Sequence, residues 1–373
     1  EGTPIIMPKD IVGGAIVHSG LLKVSEEHVK RLSRHQVYEG NLMVARKGDV
    51  RKCAYITANE NGWMTGSDCL KVVLDESKCY PKFIYYQLRS EHIGRWLEKV
   101  SIGATMPSLN TGLLSGIEMV LPPIEIQKQI AGILSAYDDL IENNQKQIKL
   151  LEEAAQRLYK EWFVDLRFPG HENTKIVDGV PEGWSIYPFS SKVDIMSGGT
   201  PKTSISDYYN GKIPFYTPKD NDGAFFAYKT QMNITEGGLK NCNSRLYPPK
   251  TVIITARGTV GKTTILAVPM AMNQSCYALK MKENDAPYYL FFALNNEIKA
   301  LQTMANGGVF NTIIGKTFDS INIQIPKDPL IYGFEETVRP FMEQIKNKLQ
   351  ANSKLVEARD RLLPKLMSGE VEV

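Results

Sequence analysis

Pro4-Ile5-Ile6-Met7-Pro8-Lys9-Asp10 is matched in order by Pro214-Phe215-Tyr216-Thr217-Pro218-Lys219-Asp220, at a spacing of 214 − 4 = 210 residues, and Gly13 falls on Gly223. A self-match at a near-constant period constrains the fold more than any single motif, because the chain must build one unit twice. The match continues with Ala45-Arg46-Lys47-Gly48 on Ala256-Arg257-Gly258, Cys69 on Cys276, and Pro81 with Tyr85-Tyr86 on Pro287 with Phe291-Phe292. From Gly103 and Gly307 onward the spacing is 204, carrying Pro122 to Pro326, Leu151 to Leu355, Arg157 to Arg361 and Leu158 to Leu362. A drift this small fits loop insertions and deletions, so duplication explains the pattern. The second copy opens with Val180-Pro181-Glu182-Gly183-Trp184 through Gly211, which has no counterpart before Pro4. The first copy is therefore expected to be cut short at its start.

Each copy has two parts. The first is rich in short β-branched and aromatic runs broken by Gly, Pro, Asn and Asp, such as Thr251-Val252-Ile253-Ile254-Thr255 and Ile321-Asn322-Ile323-Gln324-Ile325. These read as strands and turns, with short helices around 81–97 and 287–304, giving a mixed α+β body. The second part is a long helix. Ile126, Ile130, Ile133, Tyr137, Leu140, Asn144, Ile148, Leu151, Ala155, Leu158 and Trp162 recur at steps of three and four, which is heptad spacing with one stutter after Asn144. Pro122-Pro123 precedes the stripe and Pro169-Gly170 follows it, as helix ends require. The stretch 124–163 would make a rod of about 60 Å at ~1.5 Å per residue.

The second copy repeats the stripe with Val338, Phe341, Ile345, Leu349, Leu355, Leu362 and Leu366. Neither rod can bury its stripe alone. The reading is an antiparallel coiled-coil pair related by a pseudo-twofold axis, with Ile133, Tyr137, Leu140, Ile148, Leu151 and Leu158 packed on Phe341, Ile345, Leu349, Leu355 and Leu362. Asn144 and Asn352 near its middle would set register at a cost in stability. The alternative is that each helix packs on its own globular body. By residue number the expected segments are 1–122 (first body), 123–168 (first helix), 169–328 (second body) and 329–373 (second helix).

Composition sets outer limits. At 373 residues, 43% hydrophobic and 23% charged, the chain suits two ordinary cores and excludes wholesale disorder. No apolar run approaches the roughly 20 residues of a membrane helix, and the start carries no signal-peptide pattern, so a cytoplasmic protein is expected. Cys53, Cys69, Cys79, Cys242 and Cys276 are odd in number and nowhere spaced as CxxC, which favours reduced, buried thiols. The five histidines include no metal-binding spacing, and no metal site is expected.

The sharpest enzymatic signal is Ala256-Arg257-Gly258-Thr259-Val260-Gly261-Lys262-Thr263, a relaxed P-loop pattern. A phosphate-cradling loop must open into a helix. Here Thr264-Ile265-Leu266-Ala267-Val268-Pro269 follows, which reads as another strand. The GxSxG elbow and the cofactor and base-flipping motifs of a DNA amino-methyltransferase are missing. Catalysis by this chain alone is not expected.

Charge distribution says more. Between Glu236 and Glu283 there is no acidic residue, while Lys240, Arg245, Lys250, Arg257, Lys262, Lys280 and Lys282 carry positive charge, although the whole chain is only +3. In the first copy Arg46, Lys47, Arg51 and Lys52 gather at the equivalent turn with Asp49 alone opposing them. Solvated lysines explain most charge runs, but matching places in two copies point to a phosphate-backbone footprint. Lys202, beside the Gly-rich turn Ser197-Gly198-Gly199-Thr200-Pro201, and Lys219 belong to the same candidate set. Nearby amides and hydroxyls (Asn241, Asn243, Asn273, Gln274, Ser275) are the groups that read base edges. Two basic bodies held about 60 Å apart suit a split duplex site.

These residues resemble the DNA specificity subunits of type I restriction-modification systems. The likeness is strongest in Ser108-Leu109-Asn110, in Val120-Leu121-Pro122-Pro123-Ile124-Glu125-Ile126-Gln127-Lys128-Gln129-Ile130-Ala131-Gly132-Ile133-Leu134, and in Pro181-Glu182-Gly183-Trp184. It continues in Ser197-Gly198-Gly199-Thr200-Pro201 and in the closing Leu366-Met367-Ser368-Gly369, and so covers essentially the whole chain. The resemblance implies two target recognition domains reading the halves of a split double-stranded DNA site, spaced by two antiparallel helices. It also implies docking of two methyltransferase subunits and, in the full complex, restriction subunits. No cofactor is expected in this chain; S-adenosylmethionine, ATP and magnesium would sit on those partners. Ile325-Pro326-Lys327-Asp328-Pro329 departs from the Pro-Pro and Gln-Lys of the first copy. Two readings compete with this one: a P-loop NTPase, and a coiled-coil scaffold without nucleic acid.

Overall fold

A computed structural model describes residues 2–101, 107–304 and 313–373; the repeat glycines Gly103 and Gly307 lie outside them. The chain divides into two compact units, Glu1–Glu142 with Ser353–Val373, and Asn143–Asn352. The expected segments ran body then helix; the compact units instead each take one body and one half of each long helix.

The first unit opens with the strand Thr3–Ile6, which pairs antiparallel with Leu22–Val24 and parallel with Met64–Thr65. A second sheet has the order Cys53–Tyr55, Leu42–Ala45, Cys69–Val72. The second unit repeats both. Tyr209–Tyr216 pairs antiparallel with Asn233–Ile234 and parallel with Ala271–Met272. Thr263–Leu266, Val252–Thr255 and Cys276–Met281 form the centre of a five-stranded sheet, which Val193–Ser197 and Phe226–Ala227 extend at its two edges.

Registers show how faithful the duplication is. Thr3 lies opposite Val24 as Ile213 lies opposite Ile234, and Ala45 opposite Cys69 as Thr255 lies opposite Cys276. The short helices Glu26–Arg31 and Glu236–Lys240 are capped by Ser25 and Thr235, whose side chains accept from the His28 and Gly238 amides. A one-residue slip would turn every strand side chain to the wrong face, so the shared registers preserve one core twice.

The long helices are Ile124–Tyr159 and Asp328–Ser368. The first starts where Pro122-Pro123 pre-set the backbone and ends in a π-turn, Lys160–Val164. The second has Pro329 in its first turn and Gly369, at φ +76°, just past its end, the left-handed conformation that favours glycine. They pair antiparallel within each unit. In the first unit Ile130, Ala131 and Leu134 share a core with Leu363 and Leu366. In the second, Ile148, Ala155 and Tyr159 share one with Phe334, Val338, Met342 and Ile345. Asn144 Nδ2 donates to Asn352 Oδ1 at 2.8 Å, the expected register pair.

The expected stripe holds in the second unit. Ile148 and Ile345 are buried there, and Leu151, Leu158, Phe341 and Leu349 pack against the core. Leu362 packs similarly in the first unit, while Tyr137 and Leu355 are half-buried. Ile133 and Leu140 depart from expectation: they are 38% and 53% exposed. The reason is that this half of the helix must face both the second helix and a globular body. Both fit against Ile130, Ala131 and Leu134, a face that keeps Ile130 of the heptad stripe but is turned away from Ile133 and Leu140. Gly132 and Ile133 instead line a shallow groove with Leu362, Leu366, Val371 and Val373.

In each unit a buried polar side chain of a long helix satisfies an amide at the start of a helix of the body. Gln127 Oε1 accepts the Tyr80 amide at 2.8 Å, at the start of the helix Pro81–Leu88. Glu335 Oε1 accepts the Tyr289 amide at 2.7 Å, in the first turn of Pro287–Met304. The four leading amides of a helix lack partners of their own, so a carbonyl or carboxylate from a neighbour satisfies them. All five cysteines are free thiols, and burial pushes those of Cys53, Cys69 and Cys276 up to about 12.

Candidate nucleic-acid interface

The basic loops are hairpin connections. Val44 pairs with Cys53 and Ile254 with Thr263, leaving eight residues between the paired positions in each. Their internal bonds match: Ala45 N–H donates to Lys52 O and Thr255 N–H to Lys262 O, both at 2.9 Å. Gly48 and Gly258 both sit at φ +79°, where a Cβ would be strained. The spacing through the loop is therefore 210 without a break. This corrects the alignment of Arg46 with Arg257: Lys47 matches Arg257, Lys52 matches Lys262, and Arg46 matches Ala256. The chain continues from Lys262 directly into the strand Thr263–Leu266, so the loop opens into no helix and cannot cradle phosphate as a P-loop does.

Beside each hairpin lies the repeated Pro-Lys-Asp turn. Asp10 Oδ2 accepts the Met7 amide at 2.9 Å, and Asp220 Oδ2 accepts the Thr217 amide at 2.8 Å and its hydroxyl at 2.7 Å. Each carboxylate closes a 3₁₀ turn that leaves Lys9 or Lys219 exposed. The turn touches the hairpin in both units: Lys52 Nζ donates to Pro8 O at 3.3 Å, and Thr259 Oγ1 to Pro218 O at 3.4 Å. Three cation positions are thus built twice, Lys9, Lys47 and Lys52 in one unit and Lys219, Arg257 and Lys262 in the other. Lys9 was missed as a candidate, although the repeat had already aligned it with Lys219.

The charges are not equally free. Lys47 pairs with Asp68 at 3.0 Å. Arg51 is bonded to Glu91 and lies 3.5 Å from Glu98, which together hold its guanidinium above its ordinary pKa. Arg46 is exposed at the hairpin's start.

In the second unit a polar strip continues from the hairpin. Ala256 N–H donates to Ser275 O at 2.7 Å, Thr200 Oγ1 bonds Gln274, and Met272 N–H donates to Ser244 Oγ at 3.0 Å. The Gly-rich turn is pressed against this strip. A Cβ on Gly198 would lie 2.3 Å from the Asn273 carbonyl oxygen, so only glycine fits. Lys202 follows that turn and Arg245 follows Ser244, both exposed; Lys240 ends the helix Glu236–Lys240. Asn241 and Asn273 are engaged within their own turns, to Gly237 O and the Ser275 amide.

Among the described residues no cluster of His, Cys, Asp or Glu could hold a metal ion, and no helix is long and apolar enough to cross a membrane. A duplicated α+β body, each copy carrying cations on a matched hairpin and packed on an antiparallel helix pair, defines a recognition subunit with two like units. The model of the type I restriction modification DNA specificity domain matches residues 2–153 and again 181–350, and the chain belongs to that family. The curated relatives are named as specificity subunits of type I restriction enzymes. The chain is 26% identical over 380 residues to the type I restriction enzyme MjaIX specificity subunit of Methanocaldococcus jannaschii, covering 99% of this chain and 87% of that protein. It is 23% identical to the HindI specificity subunit of Haemophilus influenzae, covering 96% and 93%. A crystal structure of the type I restriction-modification S subunit from M. genitalium superposes with a TM-score of 0.58 at 18% identity, covering 98% of this chain and 92% of that one. The P-loop NTPase and the nucleic-acid-free scaffold find no relative among these matches.

Proposed function

We propose that this chain is the DNA-recognition subunit of a type I restriction-modification complex, with each unit reading one half of a split duplex site. The observation that carries the reading is the hairpin and Pro-Lys-Asp turn built twice in one register, with cations at the same three positions. Those cations lie on phosphates and fix position, and the amide strip supplies base-edge contacts. The long helices set the gap between half-sites and offer docking surfaces to two methyltransferase subunits. These, with restriction subunits in the full complex, bring S-adenosylmethionine, ATP and magnesium. On this reading the chain acts on double-stranded DNA, with no membrane partner, in the cytoplasm.

The test is duplex binding by the full chain carrying Arg257→Glu and Lys219→Glu. Each lost phosphate contact lowers the slope of log K against log salt by about 0.9. Unchanged affinity with an unchanged slope would remove the footprint. A scaffold without nucleic acid would show no salt-sensitive binding at all. Mapping methylated positions after co-expression with a cognate methyltransferase reads out the split site.

A further inference from the structure

Lys262 lines a cleft of about 650 Å³ in the second unit, a volume typical of ligand sites, which run ~300–1,000 Å³. The hairpin forms one wall. The C-terminal part of the first long helix forms the other, with Glu153, Arg157 and Lys160, and Asn295 and the buried Phe225 lie between. Asn295 is satisfied, accepting from Thr263 Oγ1 at 2.7 Å and donating to Phe291 O at 2.8 Å. Lys160 is held by Asp165 at 2.7 Å. Neither the Arg157 guanidinium nor the Lys262 ammonium has a counter-ion among the described residues. Two cations without an ion-pair partner, against the one carboxylate of Glu153 in the lining, favour an anion between them over the apolar floor, whose low dielectric strengthens its attraction.

The first unit has a cleft in sequence-equivalent residues, and there two of its three cations are ion-paired within the protein. Lys52 replaces Lys262, and Arg51 and Arg89 replace Gly261 and Asn295, around a space of about 310 Å³. Arg51 is taken by Glu91 and Glu98, while Arg89 donates to Tyr85 Oη at 2.6 Å and lies 3.6 Å from Asp138. Arg361, 204 residues after Arg157, is bound to Glu357 at 2.7 Å and lines no part of that cleft.

We infer that the second unit's cleft seats a phosphodiester of the bound duplex, gripped by Arg157 and Lys262, and that the first unit has no working equivalent. The inference rests on the DNA-recognition reading and adds a helix residue to its footprint on one side only. It also makes the two arms unequal: the second holds the backbone more tightly and more salt-sensitively.

The experiment is fluorescence-anisotropy titration of a labelled duplex by the full chain between 50 and 200 mM salt. Arg157→Gln should lower the slope by about 0.9, so that it loses about 3.5-fold less affinity than the unsubstituted chain across that range. Glu153→Gln, which removes the one acid among the described residues that line the cleft, should tighten binding. Arg361→Gln should leave slope and affinity unchanged. Adenosine monophosphate at matched ionic strength should not compete. Equal slopes for Arg157→Gln and the unsubstituted chain, with binding still salt-sensitive, would overturn the seat and leave DNA recognition standing. Competition by the mononucleotide would also overturn it, because the cleft would then be a small-molecule site. A chain with no salt-sensitive binding would remove both readings together.

Discussion

Glu335 is 4% exposed, and its carboxylate is the cap that ties the helix Pro287–Met304 to the second long helix. Burial raises its pKa from the ordinary 4.5 to about 7, against the opposing pull of the Tyr289 and Tyr288 amides, Lys250 and Arg339. Because the folded state holds this proton more tightly than the unfolded chain, the stabilisation is complete below about pH 4.5. It falls as the unfolded carboxylate ionises and is gone above about pH 7. At ~1.36 kcal/mol for each tenfold change in proton affinity, the loss across that window is about 3 kcal/mol. Glu335→Gln keeps an oxygen for the Tyr289 amide and removes the charge, adopting the neutral amide that Gln127 supplies in the first unit. Urea unfolding followed through Trp162 and Trp184, both in the second unit, should show Glu335→Gln gaining on the unsubstituted chain by about 3 kcal/mol between pH 4.5 and pH 7.5. A difference between the two proteins that stays constant over that range would refute the reasoning.

Two further perturbations address how the helices are joined. Asp138 accepts from Tyr86 Oη at 2.6 Å and binds Arg359, whose side chain is 9% exposed. The matching positions in the second unit are the buried Phe292, Met342 and Ala155. Asp138→Ala should cost about 3 kcal/mol by leaving Arg359 with Asp360 alone, whereas Tyr86→Phe, Asp138→Met and Arg359→Ala together should recover most of the loss; a triple variant as unstable as the single one would deny the equivalence. Replacing Asn144 and Asn352 together by leucine should raise the melting temperature while letting the chain populate other oligomers, seen by size-exclusion chromatography; a monodisperse chain with unchanged melting would show that the amide pair does not set register.

The duplication was legible from order-preserving matches, because Pro-Lys-Asp and its neighbours keep their identity where a turn demands it. The strands and hairpins followed from β-branched runs between turn residues, and the Asn144–Asn352 bond from the heptad count. The faces of Ile133 and Leu140 were not legible, since a helix serving two partners carries overlapping apolar stripes that periodicity alone does not separate. Nor was the pairing of Lys47 and Arg51. The acids that neutralise them, Asp68, Glu91 and Glu98, lie 21 to 47 residues away and meet them only through the fold. In the sequence Arg157 stands out only as the repeat partner of Arg361, and only the fold brings it to one cleft with the hairpin.

The boundaries between the compact units fall at 142/143 and 352/353, within a residue or two of the amide pair Asn144–Asn352. The second unit is thus one uninterrupted stretch, Asn143–Asn352, inserted in sequence between the two segments of the first. A graft cut at those two places would carry a complete core with its own helix halves. A graft cut at the end of the first long helix would sever Tyr159 and Phe163 from Phe292 and Phe334, the aromatic cluster they belong to. Exchange of reading heads between relatives is therefore best made through the middle of the rod, where two asparagines already mark the joint.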